Sequence, residues 1–87
     1  MTFPSRGTPS FWKAYYALPV AVRALARKNY RLWLAEAFHP SLNFKKIRDQ
    51  KWSARIGDHY RAVGEFAGEI FVWEWIGTHE DYNKRWT

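Results

Sequence analysis

The sequence WSARIGDHYRAVGEFAGEIFVWEWIG at residues 52–77 contains three strand candidates separated by two short turns. Apolar and polar side chains alternate over residues 52–56, as in a strand with one buried face. Gly57-Asp58-His59 and Ala67-Gly68 have the composition of turns. The almost entirely apolar and aromatic run 70–76 predicts a central strand that is covered on both faces. These residues therefore predict an antiparallel meander.

The N-terminal half has helical patterns instead. Thr8 is a candidate N-cap, and Pro9 suits the first helical position because its missing N–H would be unpaired there anyway. A helix over residues 11–17 follows, and Leu18-Pro19 interrupts it. Apolar residues then recur at helical spacing over about residues 19–38. Two helices joined by a bend at one proline predict a helical hairpin.

Together these elements predict an α+β fold, with the N-terminal helical hairpin packed on one face of a small antiparallel β-sheet. A short strand candidate at 44–47 precedes the meander, and the tail at 79–87 is polar and compatible with one helical turn. Residues 1–7 are compatible with an edge strand or with a frayed arm. The 87 residues are predicted to form a single domain over residues 1–87.

Composition excludes several classes of protein. The absence of cysteine excludes a disulfide scaffold and a cysteine zinc site, and it fits a reducing compartment. No apolar run reaches the roughly 18–20 residues that cross a bilayer, and the N-terminus lacks the apolar region of a signal peptide. We therefore expect a cytoplasmic protein without membrane association. The three scattered histidines have no metal-ligand spacing, so neither a metal nor a cofactor is expected.

The net charge of +6 is unevenly distributed. Residues 1–61 contain twelve Lys and Arg against three Asp and Glu, which gives +9, whereas residues 62–87 contain two against five, which gives −3. A polarised positive field attracts phosphates or an acidic protein. Solubility alone is the alternative explanation of the excess charge.

Arg55 and Arg61 lie symmetrically about Asp58. If the turn has three residues, the two arginines are directly opposite on one face, with Cβ atoms about 5 Å apart, and two guanidiniums so close favour an anion between them. If the turn is the two-residue Gly57-Asp58, Arg61 points to the other face. One arginine is alternatively paired with Asp58 or Glu65. The sequence leaves the register open.

Further basic residues surround this turn. Lys45 and Lys46 lie on the preceding strand candidate, where only one of the two can face the same groove, and Arg48 and Lys51 are predicted in the connecting loop. His79 follows the buried strand and has an unperturbed pKa of about 6.5, which suits proton transfer near neutral pH. Tyr82 shares its face if the tail turns helically. A structural role for His79 is the alternative.

A set of Lys, Arg, His and Tyr suits metal-free RNA cleavage. In that reaction the 2′-hydroxyl attacks the adjacent phosphorus, a base removes its proton, an acid protonates the leaving 5′ oxygen, and cations stabilise the phosphorane. The sequence contains neither a glycine-rich phosphate loop nor a GxSxG motif.

Four segments, in this order along the chain, resemble the RelE/ParE toxin superfamily. They are TPSFWKAY at 8–15 followed by LP at 18–19, HPSLNFKKI at 39–47, WSARIGDHYRAVG at 52–64 and WIGTHEDY at 75–82. Two features depart from the family pattern. Pro4 and Gly7 erode the N-terminal strand, and Glu80 and Asp81 are unfavourable beside a phosphate.

The resemblance implies a toxin of a type II toxin–antitoxin system, with a RelE-like fold and an acidic antitoxin as partner. Members similar to RelE cleave mRNA on the ribosome and inhibit translation. Their site residues correspond to Lys45 or Lys46, Arg55, Arg61, His79 and Tyr82. ParE-type members share the fold but poison DNA gyrase, and an inactive orphan domain that only binds protein is a third possibility. His79 and Tyr82 favour the endoribonuclease.

Overall fold

The computed structural model describes residues 3–86, so Met1 and Thr2 of the predicted arm and Thr87 of the predicted tail lie outside the described residues. Its elements, in chain order, are β1 (Ser5–Gly7), α1 (Pro9–Tyr16), α2 (Val20–Ala35), a 3₁₀ turn (Pro40–Leu42), β2 (Lys45–Arg48), β3 (Lys51–Ile56), β4 (Tyr60–Ala67), β5 (Ile70–Thr78) and α3 (His79–Trp86).

The described strands form a five-stranded sheet in the order β1-β5-β4-β3-β2. The α+β prediction is confirmed, and β2 to β5 form the predicted antiparallel meander. The sheet is mixed, however, because β1 pairs with β5 in parallel. Phe71 donates its backbone N–H to the carbonyl of Pro4 at 2.9 Å, so the N-terminal strand forms in spite of Pro4 and Gly7. With β1 added, β4 lies in the middle of the sheet and β5 beside it, which corrects the prediction that 70–76 is central.

The helical hairpin begins as predicted. Thr8 caps α1, since its hydroxyl accepts a hydrogen bond from the N–H of Phe11 at 3.1 Å. The second helix ends at Ala35, three residues earlier than expected, where Glu36 leaves helical geometry with φ −153° and ψ 84°. This early end lets the chain turn back through Pro40–Leu42, which buries Leu42 beneath the hairpin. The described residues contain no helix suited to spanning a bilayer.

Aromatic rings build the core between the hairpin and the sheet. Trp33 of α2 is 1% exposed, and its ring lies 5.2 to 5.7 Å from those of Phe44, Phe71 and Trp73. A buried ring of this size removes about 200 Å² from water, worth roughly 5 kcal/mol at about 25 cal/mol per Å². A few such side chains therefore give a short chain a sufficient core.

The C-terminal tail is a helix of eight residues, longer than the predicted single turn. Thr78 Oγ1 accepts the N–H of Asp81 at 3.1 Å. Acidic residues lie in the first turn of α3 and basic residues in its last turn, which complements the helix dipole. Tyr82 is buried, and the ring of Trp86 lies 6.4 Å from that of Trp75. The sheet face opposite the hairpin was predicted to be uncovered, but α3 packs against it.

Gly64 lies at an irregularity of the β4–β5 pairing, and a Cβ there would lie 2.3 Å from the carbonyl oxygen of Val72. We expect Gly64→Ala to lower the free energy of unfolding by about 3 kcal/mol, because backbone must move to admit the methyl group. Gly68→Ala is the control, since its Cβ meets no atom within 4 Å. Gly68→Ala should still lower the free energy of unfolding by about 1 kcal/mol, because the backbone φ of +64° at Gly68 is unfavourable for a residue with a Cβ. Equal losses in urea unfolding of the two variants would contradict this steric argument.

Candidate functional site

The β3–β4 turn has three residues, which is the first of the two predicted registers. Ile56 pairs with Tyr60, and Arg55 pairs directly with Arg61. Gly57 makes the turn possible with a φ of +61°, a conformation that other residues rarely adopt. The two arginines therefore lie side by side on the α3 side of the sheet.

Each guanidinium is held by local contacts. Arg55 donates from Nε to the Gly57 carbonyl at 3.1 Å and forms an ion pair with Asp58, as the alternative prediction stated. Arg61 donates from Nη1 to the Tyr60 carbonyl at 2.8 Å. Burial, followed by the positive charge of Arg55, lowers the pKa of Arg61 below its ordinary value. Two like charges in this position favour an anionic ligand that neutralises both.

A recess of about 260 Å³ opens beside the arginine pair, between the sheet and α3. Five of the predicted site residues line it, from four different elements. The lining residues are Asn43, Lys45, Ser53, Arg55, Arg61, His79, Tyr82 and Asn83. Lys45 reaches this side because it pairs with Ser53, and both belong to the same face of the sheet as Arg55. The structure thus brings together the two arginines, the histidine, the tyrosine and one lysine.

The other three predicted binding residues do not line the recess. Lys46 pairs with Trp52, whose side chain packs against the core on the hairpin side. Arg48 and Lys51 were predicted in a loop but belong to β2 and β3. The Arg48 guanidinium is exposed, 4.0 Å from the carboxylate of Asp49. Their strand positions carry these three side chains away from the recess.

Lys51 is held by two glutamates. Its ammonium donates to Glu65 at 2.8 Å and also to Glu74. Burial alone would lower the pKa of Lys51, but the hydrogen bonds and negative charges of the two carboxylates raise it above its ordinary value. The Lys51 hydrogen bond in turn lowers the pKa of Glu65. With one ammonium and two carboxylates, this cluster gives the far end of the face a net charge of −1.

His79 occupies the first turn of α3 and has contacts on both sides. Its backbone N–H donates to the His59 carbonyl at 2.7 Å, and its ring stacks on Tyr82 with centroids 6.1 Å apart. Asn83 Nδ2 lies 3.3 Å from His79 Nε2, while Nδ1 is buried without a partner among the described residues. The Tyr82 hydroxyl donates to Ser53 Oγ at 3.4 Å. Because Tyr82 is 7% exposed, its ring is available to His79 rather than to a nucleobase.

Sequence reasoning missed three lining residues, Asn43, Ser53 and Asn83. Ser53 lies two residues before Arg55, so the strand alternation could have identified it. Asn83 follows His79 by one helical turn, which matters only once the tail is known to be a helix. Asn43 has a left-handed φ of +44°, a conformation that asparagine tolerates.

The recess has the electrostatics of an anion site. Lys45, Arg55 and Arg61 contribute positive charge, and no Asp or Glu is among the described residues that line it. Glu80 and Asp81, which looked unfavourable in the sequence, are exposed on α3 and lie outside the lining. Within residues 3–86 the acidic and histidine side chains form no cluster of three that could hold a metal ion. The arrangement can bind a phosphate and place an imidazole beside it.

Residues 20–84, about three quarters of the chain, match the family model of the ParE-like toxin domain. The chain belongs to this family. The ParE-like domain is therefore a toxin of the RelE/ParE type, as the four sequence segments predicted, and such toxins belong to toxin–antitoxin systems. No curated protein matches the sequence significantly.

Solved structures of low sequence identity share the fold. A chain of the toxin–antitoxin complex RelBE2 from Mycobacterium tuberculosis has a TM-score of 0.72 at 16% identity, covering 91% of this domain and 100% of that chain. The YoeB/ParE toxin from Agrobacterium tumefaciens has a TM-score of 0.69 at 17% identity, covering 87% of this domain and 98% of that chain. A mutant of the Escherichia coli toxin RelE in the free state has a TM-score of 0.70 at 15% identity, covering 95% of this domain and 90% of that chain.

The Lys51 cluster predicts how the stability of the domain depends on pH. Because the pKa of Glu65 is lower in the folded state, its contribution is complete above the unfolded-state pKa and is lost as pH falls through the folded value. We expect Glu65→Gln to lower the free energy of unfolding by about 0.5–1 kcal/mol at neutral pH, and the difference from wild type should disappear as pH falls through the lowered folded-state pKa of Glu65.

Urea unfolding at several pH values measures this difference. Glu69→Gln removes the same charge from an exposed residue outside the described ion pairs and serves as control. A constant difference between Glu65→Gln and wild type at all pH values would refute the linkage.

Proposed function

We propose that this toxin is a ribosome-dependent mRNA endonuclease that cleaves RNA with its own side chains. The observation that carries the proposal is the convergence of Arg55, Arg61 and His79 on one recess without a lining carboxylate. A phosphate there would be bound by two guanidiniums that otherwise repel each other. The fold shared with RelE supports the same assignment.

The residues of the recess have different roles in the proposed reaction. Arg55 and Arg61 hold the scissile phosphate and stabilise the negative charge that grows on it as the 2′-hydroxyl attacks. His79 acts as general acid or base, taking the 2′-hydroxyl proton or giving one to the leaving 5′ oxygen. Lys45 adds positive charge at the β2 side of the recess. The RNA backbone is thus gripped where the proton transfer occurs.

Two residues position the imidazole. Tyr82 stacks on the His79 ring and is itself fixed by Ser53, and Asn83 contacts Nε2 from the next helical turn. If Asn83 donates to Nε2, the ring proton of neutral His79 resides on Nδ1. Tyr82 is therefore proposed as a positioning residue.

We propose an acidic antitoxin as the cellular partner of the toxin. The charge of the toxin supports this partner, since residues 1–61 have a net charge of +9. Related folds have been solved as complexes of RelE with RelB from Pyrococcus horikoshii and Methanococcus jannaschii. An acidic chain on the basic recess would exclude RNA by occupying the same charges. The predicted cytoplasmic location is consistent with this pair.

Gyrase poisoning is the second candidate function. The observation that favours it is the match of residues 20–84 to the family model of the ParE-like toxin domain. This alternative requires no catalytic group, so it gives His79 no role beyond structure. The two functions are separable by experiment.

Induction of the toxin in growing cells, followed by primer extension on translated messages, tests the endonuclease. We expect codon-aligned cuts with wild type, and at least a hundredfold fewer with His79→Ala or Arg61→Ala, because each removes a proton-transfer or phosphate-binding group. Arg31→Ala removes the same charge from an exposed position on α2 and should cut like wild type. Circular dichroism verifies folding of each variant.

Other outcomes identify the alternatives. Loss of plasmid supercoiling and DNA damage response without message cuts would assign the gyrase function. Growth without arrest after wild-type induction, with folded protein present, would identify an inactive binding domain.

A further inference from the structure

A second cavity lies on the opposite side of the sheet from the basic recess. It has a volume of about 390 Å³ and is lined by residues of α1, of α2 and of the strands beneath them. Its floor is apolar and is formed by Leu42, Ala54, Ile56, Ala62, Trp73 and Ile76. Ligand sites in proteins have volumes of roughly 300–1,000 Å³ and are mostly apolar with a few polar groups. The cavity meets this description.

Polar contacts at the rim hold α2 over the cavity. Arg27 donates to the Tyr15 hydroxyl of α1 at 2.9 Å, and Tyr30 shares a 2.6 Å hydrogen bond with Ser5 of β1. Beneath them the facing side chains include small ones such as Ala26, which cannot fill the space. The first contact joins the two helices and the second joins α2 to β1, and the cavity lies beside them.

Two residues that line this volume have an indole donor without a partner among the described residues. Trp33 and Trp73 both line the cavity and are 1% and 7% exposed, and the Nε1 atom of each is buried with no hydrogen-bond acceptor among the described residues. A buried N–H without an acceptor is costly and needs an explanation. A ligand that carries an acceptor atom into the cavity would satisfy one or both donors.

The mouth of the cavity has aromatic and cationic character. Trp12, Tyr16 and Tyr30 line it and are exposed by 45%, 65% and 40%. The Arg27 guanidinium has five N–H donors, of which the bond to Tyr15 uses one. Among the described lining residues, none is Asp or Glu. Aromatic walls, three lining arginines (Arg6, Arg27 and Arg55) and no carboxylate complement a planar ligand with negative charge.

We propose that this cavity is a binding site for a small aromatic organic anion. The aromatic body lies on the apolar floor, the anionic group meets Arg27 at the mouth, and an acceptor atom of the ligand pairs with the indole N–H of Trp33 or Trp73. Arg55 is the one described residue that lines both this site and the proposed RNA recess, because Ala54 and Ala62 face one side of the β3–β4 pair and Arg61 the other.

An apolar side chain of a partner protein fits the cavity less well. Such a side chain would fill volume but offers no acceptor to the buried indoles, and a partner helix keeps its backbone carbonyls for its own hydrogen bonds. A small molecule supplies apolar surface, acceptor and charge together. The unpartnered donors therefore favour the small anion.

Fluorescence titration with two related probes tests the proposal on the full chain. The first probe is 8-anilinonaphthalene-1-sulfonate, and the second is N-phenyl-1-naphthylamine, which has the same aromatic body without charge. We expect saturable binding of both to the native domain, with the sulfonate bound more tightly. Arg27→Gln should weaken the sulfonate about tenfold and leave the neutral probe unchanged.

Three further variants locate the binding. Arg31→Gln, on the same helix but outside the lining, should change neither affinity. Ala62→Leu, which fills the floor, should abolish both, provided near-ultraviolet circular dichroism remains native. The double variant Arg61→Ala/His79→Ala should bind both probes like wild type.

Indole N–H resonances give a readout that does not depend on these substitutions. In ¹⁵N-resolved spectra the Trp33 or Trp73 indole signal, assigned with Trp→Phe variants, should shift on addition of the sulfonate more than the signals of the other tryptophans. The proposal is overturned if neither signal moves, if Arg61→Ala/His79→Ala removes binding, or if only a partner peptide and neither probe shifts these signals.

Discussion

The register of the β3–β4 pair is the constraint on which the rest of the molecule depends. With Arg55 opposite Arg61, the even-numbered residues Ala54, Ile56 and Ala62 all face the hairpin, and the arginines all face α3. Strand side chains alternate, so a slip by one residue would exchange the two sets and bury guanidiniums in the aromatic core. The three-residue turn prevents that slip. The β3–β4 pair therefore determines which residues form the core and which form the basic recess.

The sheet face beneath α3 is divided by charge along the same two strands. Arg55 and Arg61 lie at the turn end, whereas Lys51 and Glu65 oppose each other at the far end, where Glu74 completes the cluster. Tyr82 and its contact with Ser53 lie between these ends. Positive charge without a carboxylate is therefore confined to one end, where His79 enters. The uneven charge of the sequence becomes a local field only through this arrangement.

Local sequence patterns were enough to predict most of the fold. Alternation predicted the meander, and Thr8-Pro9 predicted the start of α1, because those signals act within a few residues. The N-terminal strand depends on parallel pairing with β5, a contact far along the chain, so residues 5–7 alone could not specify it. The helix α3 was predicted as a single turn because HEDYNKRW is mostly polar, and its two sheet-facing rings bury surface that only the folded sheet supplies.

The site was predictable where strand alternation applied and not where tertiary contacts decide. Alternation placed Arg55 and Arg61 together under one of two registers, and only the observed turn length selects it. Lys51 looked like a loop cation because its carboxylates come from two other strands. Asn83 became relevant only through the helix that brings it to His79.

The two arginines of the recess already have partners within the chain. Asp58 neutralises Arg55, and the Tyr60 carbonyl occupies part of Arg61. The Asp58 side chain is 76% exposed, so it can leave Arg55 for water at little cost, and a surface pair of this kind is worth at most about 1 kcal/mol. A phosphate that bridged both guanidiniums, as proposed, would remove their mutual repulsion and gain charge-assisted hydrogen bonds, so it would displace Asp58. Asp58 thus stabilises the β3–β4 turn and still leaves the recess open to an anion.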